Sequence, residues 1–165
     1  MQKRDDLQGL RAVAITSVLL FHFFPERFPN GFLGVDVFFV ISGYLISSIL
    51  HKAACKDGMA LDTLFVFYWK RIRRILPLHL LYCLAAILLF SLLAESFQLQ
   101  QFQKSAMFAL PLLANIKSFV EKEDYFEKVL DNDLFTHIWS LSVEVQFYFI
   151  APALLGVFTA RPLLR

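Results

Sequence analysis

Apolar residues come in long blocks separated by short polar breaks, and the blocks show no strand-like alternation. The first runs over residues 10–24 and stops at Pro25. Two more, Gly31–Leu50 and Ile75–Ala94, are 20 residues each, and Asp36 and His79 are their only charged or imidazole side chains. About 20 apolar residues make a helix that crosses ~30 Å of hydrocarbon, and helices satisfy their own backbone there. A shorter apolar stretch, Ala106–Ile116, is broken by Pro111, and a last one runs from His137 to Phe158. This pattern predicts an all-α membrane protein, a bundle of about four to five transmembrane helices in one domain over residues 1–165, with a lipid bilayer as its surroundings.

The breaks refine the picture. Residues 25–30 form a tight turn with two prolines, which makes the first two spans an antiparallel hairpin. Residues 51–74 read as a basic loop, with Lys52, Lys56, Lys70, Arg71, Arg73 and Arg74 against Asp57 and Asp62. Residues 117–136 read as acidic and irregular. The excess of Lys and Arg in the first tail and the 51–74 loop puts both in the cytosol. The 106–116 stretch is short for a crossing, so it is either a re-entrant or surface helix, which leaves the 117–136 loop outside, or it crosses and puts that loop inside.

Composition agrees: 58% of residues are hydrophobic, 19 are Phe, and mean hydropathy is +0.58, which excludes an ordinary soluble domain. Net charge is only +2, without a basic patch interleaved with base-stacking aromatics, so nucleic acid is not an expected partner. Cys55 and Cys83 differ in depth and do not suggest a disulfide. Phe23-Phe24-Pro25-Glu26 follows the first block where a signal peptide would carry small residues, so the block is expected to be retained.

Candidate chemistry lies at the ends of the blocks. Arg11 and His22 are eleven residues apart. On a helix they share a face and stand ~16 Å apart along the axis. Ionisable groups at membrane depth point to function. His22 and Asp36 sit near the outer ends of the two hairpin spans, where a contact is feasible. A carboxylate there would orient the imidazole as a general base, or the two would be a buried ion pair that locks the hairpin. Arg71 and Arg74 share a helical face. They serve either as an anchor on anionic lipid or as a clamp for phosphate oxygens. Glu144 and Gln146 lie in the last apolar block and need partners, and Glu144 is two turns after His137. Ser140 and Ser142 lack a Gly-x-Ser-x-Gly elbow. His79 reads as a packed or hydrogen-bonded histidine. No His/Cys cluster has metal spacing, so no metal is expected.

Four ordered strings make the chain familiar: Leu10-Arg11 with ten residues before His22; Gly34-Val35-Asp36-Val37-Phe38-Phe39-Val40-Ile41-Ser42-Gly43-Tyr44-Leu45-Ile46; Arg71-x-x-Arg74-Ile75-Leu76-Pro77; and His137-x-Trp139-Ser140-Leu141-Ser142-Val143-Glu144-x-Gln146-Phe147-Tyr148. Together they resemble the acyltransferase 3 family of multi-span membrane O-acyltransferases. The resemblance implies a fold of about ten spans, of which this chain supplies the N-terminal part. It also implies transfer of an acyl group, usually acetyl, from acyl-CoA to a hydroxyl of a carbohydrate or lipid-type acceptor. By the same resemblance, Arg11, Arg71 and Arg74 bind acyl-CoA, and His22 and Glu144 belong to the catalytic set, to which the hairpin adds Asp36 as the group that orients His22. Where the family's Val-Glu-Glu-Gln string has a second glutamate, Val145 stands here. A transporter or lipid-binding protein without chemistry, and a truncated paralogue that pairs with a full-length partner, are the competing expectations.

Overall fold

A computed structural model describes residues 4–57, 61–93, 99–121 and 134–160. Six α-helices are described: α1 (Asp5–Phe23), α2 (Gly34–Asp57), α3 (Leu61–Leu93), α4 (Leu99–Ala109), α5 (Ala114–Glu121) and α6 (Ile138–Ala160). A 3₁₀ turn, Pro29–Leu33, precedes α2. The Pro29–Cys55 segment, α3 and α6 are long and apolar enough to cross a membrane. α1 falls short because Asp5, Asp6 and Arg11 leave only a short uncharged stretch of ~18 Å. The protein is thus an all-α integral membrane protein, with three such helices among the described residues against the four to five expected.

The chain forms two compact units, residues 1–56 with 154–165, and residues 57–153. In the first, α1 and α2 are an antiparallel hairpin. Arg4 at the start of α1 donates to the Tyr44 hydroxyl of α2 at 3.1 Å. Ala14 meets Gly34, and Phe21 meets Gly31. Asp5 and Asp6 occupy the first turn of α1, where carboxylates complement unpaired backbone N–H groups. The Arg4 guanidinium grips Asp6 with contacts of 2.6–3.2 Å and holds its carboxyl well down, at about 2. Hydroxyls on the apolar helix bond back to its own carbonyls, Thr16 to Ala12 and Ser17 to Val13.

Two expected boundaries move. The second span, Pro29–Cys55, opens with the 3₁₀ turn, which folds back along α1 before α2 starts at Gly34. The expected 51–74 loop is mostly helix, because α2 continues to Asp57 and α3 takes up at Leu61. α3 is one helix of 33 residues, ~50 Å long, that carries the basic cluster and the apolar block in a single rod. Residues 61–74 contain no Gly or Pro, so nothing there breaks it. Pro77 lies inside α3 and removes one backbone donor.

In the second unit, α4 and α5 fold as a hairpin beside α3. Phe102 stacks on Phe90 with ring centroids 3.8 Å apart, and His79 Nε2 donates to the Leu110 carbonyl at 3.3 Å. α4 therefore runs back along α3, from its end toward its middle. The tip, Leu110–Leu113, contains Pro111, and Leu112 has φ +59°. α5 then returns, with Lys117 Nζ donating to Ser105 Oγ at 2.7 Å between two buried side chains. Helices of 11 and 8 residues reach only ~16 and ~12 Å, too short to cross. Neither is long enough to cross by itself, so they pack as a short hairpin on α3. α6 also opposes α3: Tyr82 donates to the Leu134 carbonyl, Phe135 packs on Phe102, and Tyr68 stacks on Phe149. Cys83, Ala86, Phe102, Ala106, Ala109, Phe135 and Ile138 form the core. Small residues at these contacts let the backbones approach.

The hairpin tip is locked by a reciprocal amide pair. Asn115 Nδ2 donates to Gln146 Oε1 at 2.8 Å, and Gln146 Nε2 donates to Asn115 Oδ1 at 2.9 Å and to the Leu112 carbonyl at 3.2 Å. These are the partners that Gln146 needs in an apolar block. Gln146→Leu removes all three bonds and leaves the Asn115 amide without this partner. The expected loss is about 2–3 kcal/mol, read as earlier thermal unfolding in detergent and faster proteolysis near Leu112. Asn115→Leu added to Gln146→Leu should recover part of it.

Candidate functional site

Chemistry-bearing residues gather in each unit. In the first, α1 carries Arg11 and His22 on one continuous helix, so the ~16 Å axial separation applies. Arg11 is half-buried and His22 exposed. The imidazole is oriented by its own helix: Nδ1 lies 2.8 Å from the Val18 carbonyl oxygen, one turn back, and the Phe21 ring meets it edge-on. Because a carbonyl only accepts, Nδ1 carries the proton. The neutral ring then presents Nε2 as acceptor.

Asp36 does not take the place expected for it. Gly34 rests against Ala14, eight residues before His22, which puts His22 ~12 Å further along α1. Asp36 lies two residues beyond Gly34, in the direction away from His22. It is also ~200° around α2 from the glycine that faces α1, and it is exposed. The expected match of depths between His22 and Asp36 is therefore corrected. The cause is the 3₁₀ turn, which carries the chain back along α1 before α2 begins. Asp36 instead occupies the first turn of α2, where it complements the backbone N–H groups. The Val18 carbonyl does the orienting expected of the carboxylate.

In the second unit, Arg71 lines a pocket of about 50 Å³ between α3, α6 and the hairpin tip, with Tyr68, Leu76, Leu112, Tyr148 and Phe149 among its walls. The guanidinium carbon lies 4.1 Å from the Phe67 ring centroid and 5.5 Å from that of Tyr148. Such faces attract a guanidinium. Arg71 Nε is buried and makes no hydrogen bond among the described residues. Arg74, one turn on, is exposed. Glu144, half-buried on α6, accepts a hydrogen bond of 2.5 Å from the Tyr148 hydroxyl. Tyr148 thus touches both, Arg71 near its ring and Glu144 through its hydroxyl.

His137 stands in the turn before α6, and its carbonyl accepts from Ser140 Oγ at 3.3 Å. His79 is buried and hydrogen-bonded in the core. Both cysteines are free thiols.

Tyr148 and Phe67 were missed as site residues. Their signal was present: each stands four positions from a candidate, Phe67 before Arg71 and Tyr148 after Glu144, and such pairs meet on a helix. The Asn115–Gln146 pair joins distant segments and has no local signal.

A protein-family model described as an acyltransferase domain matches residues 4–165. O-acetyltransferase OatA of Staphylococcus aureus (strain NCTC 8325 / PS 47) is 35% identical over 146 residues, covering 88% of this chain and 24% of that protein. A putative O-acetyltransferase, SAS0844 of Staphylococcus aureus (strain MSSA476), is 34% identical over 155 residues, covering 94% and 25%. The chain thus spans about a quarter of the length of these relatives. No solved structure matches. Because the family match runs through α1, α3 and α6 with all their candidate residues, the chain belongs to the acyltransferase 3 family.

Proposed function

We propose that this chain forms the donor-binding part of a membrane O-acyltransferase. The enzyme moves an acyl group, acetyl in the first instance, from acyl-CoA to a hydroxyl of a carbohydrate or lipid-type acceptor. The observation that carries this reading is Arg71, a guanidinium held against aromatic rings at a pocket wall with a buried Nε that has no hydrogen-bond partner among the described residues. A buried, unsatisfied donor on a cation is costly unless an anion completes it. The relatives named O-acetyltransferase supply the reaction class.

In this reading Arg71 and Arg74 hold the donor's phosphates at the cytosolic side, to which the N-terminus and residues 51–74 belong by their Lys and Arg content, and Arg11 is a further donor-binding cation. His22 Nε2 takes the proton of the acceptor hydroxyl, since Nδ1 is committed to the Val18 carbonyl. The hydroxyl oxygen attacks the thioester carbonyl, the C–S bond breaks, and the thiolate leaves with the proton returned from the imidazolium. Glu144 belongs to the donor end, beside Arg71. Asp36 acts on the helix rather than on the imidazole. Asp36→Asn is thus expected to leave the pH midpoint of turnover in place, and a shift of that midpoint would restore Asp36 to the proton relay.

The test is transfer of label from acetyl-CoA in membranes of cells producing the protein. Label in an extractable acceptor supports the reading. No label, together with no CoA binding, supports transport or lipid binding instead.

A further inference from the structure

The surface that the pocket beside Arg71 presents is apolar. Arg71, Ile72 and Ile75 of α3 and Val145 and Tyr148 of α6 reach it at helical spacing, and Leu112 closes it from the hairpin tip. The charge stands at one end. The Arg71 guanidinium carbon lies 4.1 Å from the ring centroid of Phe67, one turn before Arg71 on α3, whereas Ile75 lies one turn after it. An anion held by Arg71 therefore sits toward the N-terminal end of α3, and the pocket runs on from it toward the apolar part of that helix. The pocket is small. Its volume is about 50 Å³. A water-sized group takes roughly 10–15 Å³ of such space, so about three to five fit. A compact branched group of about three carbons fills that space, and a long hydrocarbon chain does not.

We propose that this pocket seats the geminal dimethyl carbon of the donor's pantoyl arm, and that Val145 sets its size. The inference rests on the reading of Arg71 as a ligand of the donor's phosphate, and it names the part of the donor that lies beside that ligand. In CoA the quaternary carbon with its methyls is joined through a single methylene to the diphosphate oxygen. It is the apolar group nearest the phosphates, and the acyl group is at the far end of the arm. A phosphate on Arg71 thus brings the methyls, not the acyl group, to the pocket. Val145 has the smallest side chain in the wall, so a larger residue there fills the space that the methyls take. The pocket makes and breaks no bond; it adds affinity and fixes where the arm starts.

The experiment is binding to the purified protein in nanodiscs, with CoA, a CoA analogue that has hydrogens in place of the geminal methyls, and phosphoadenosine diphosphate, the nucleotide left when the arm is cut from CoA. In the parent, loss of the methyls should weaken binding about tenfold. In Val145→Phe, CoA and the analogue should bind within about threefold of each other, while phosphoadenosine diphosphate stays within about threefold of its parent affinity. A variant that merely disturbs the fold would lose the nucleotide as well. Should Val145→Phe fail to fold, Val145→Leu decides, since one added methylene in a filled site should still cut the preference for the methyls to about threefold. No preference for CoA over the analogue in the parent, or an undiminished preference in the variant that folds, would overturn the proposal. If the parent binds neither CoA nor phosphoadenosine diphosphate, the donor reading itself falls and this inference with it. If the parent binds both and the methyls make no difference, only the inference falls.

Discussion

Gly34→Val is expected to break the α1–α2 hairpin. A Cβ placed on Gly34 would lie 2.5 Å from the Ala14 carbonyl oxygen and 2.8 Å from Val18 Cγ2. At Gly31 it would lie 2.3 Å from the Ser17 carbonyl oxygen and 2.8 Å from Phe21 Cβ. The nearest atom in each case is backbone, which cannot swing aside as a side-chain tip can, so the two segments must separate. Forcing atoms into a packed contact costs about 1–3 kcal/mol, occasionally more, and the branched side chain at Gly34 adds two methyls to the clash. Gly9 and Gly43 serve as controls, because nothing lies within 4 Å of a Cβ at either. Alanine there should be neutral or stabilise by roughly 0.5–1 kcal/mol, as expected inside a helix. The measurement is thermal unfolding in detergent with protease resistance as a second readout. Equal stability of Gly34→Val and Gly43→Ala would mean that α1 and α2 do not approach closely at Gly34.

Arg71→Lys is expected to lower affinity for CoA by about ten- to a hundredfold, while Arg73→Lys stays within about threefold of the parent. A lysine keeps the charge but loses the planar fork and its fit against the Phe67 and Tyr148 rings. Arg73 is exposed, next to Arg74 but off the shared face of Arg71 and Arg74. A lipid anchor would behave differently: charge alone holds it, so both variants would keep membrane and CoA behaviour intact. Binding of CoA to the purified protein separates the two readings of the basic cluster, which spacing alone left open. Arg71→Lys indistinguishable from the parent would return the cluster to the anchor.

The long apolar blocks were legible because membrane helices are selected by length and hydropathy, both of which are local properties. The Arg11–His22 spacing was legible for the same reason, since one uninterrupted helix carries both. Depth across the hairpin was not. Pro29 and Gly31 read equally well as the end of a loop and as the 3₁₀ turn that they form, and the turn shifts the register of α2 enough to separate Asp36 from His22. The basic residues of 51–74 read as a connection between spans, with Tyr68, Trp69, Arg71 and Arg74 at spacing that suits an interfacial helix inside it. Helix propensity and the absence of a breaker carry α3 straight through them. Pro111 marked the tip of the α4–α5 hairpin, yet what holds the tip, Gln146 on Asn115 and Leu112, joins segments 31–34 residues apart, which no local pattern reports.

The measurement that bears most directly on the proposed function is transfer of labelled acetyl from acetyl-CoA to an extractable acceptor, native protein against His22→Ala, with CoA binding followed in the same membranes. Expected is a loss of transfer by about two orders of magnitude or more in His22→Ala while CoA binding persists. Equal labelling by the two proteins would contradict a role for the imidazole in the transfer.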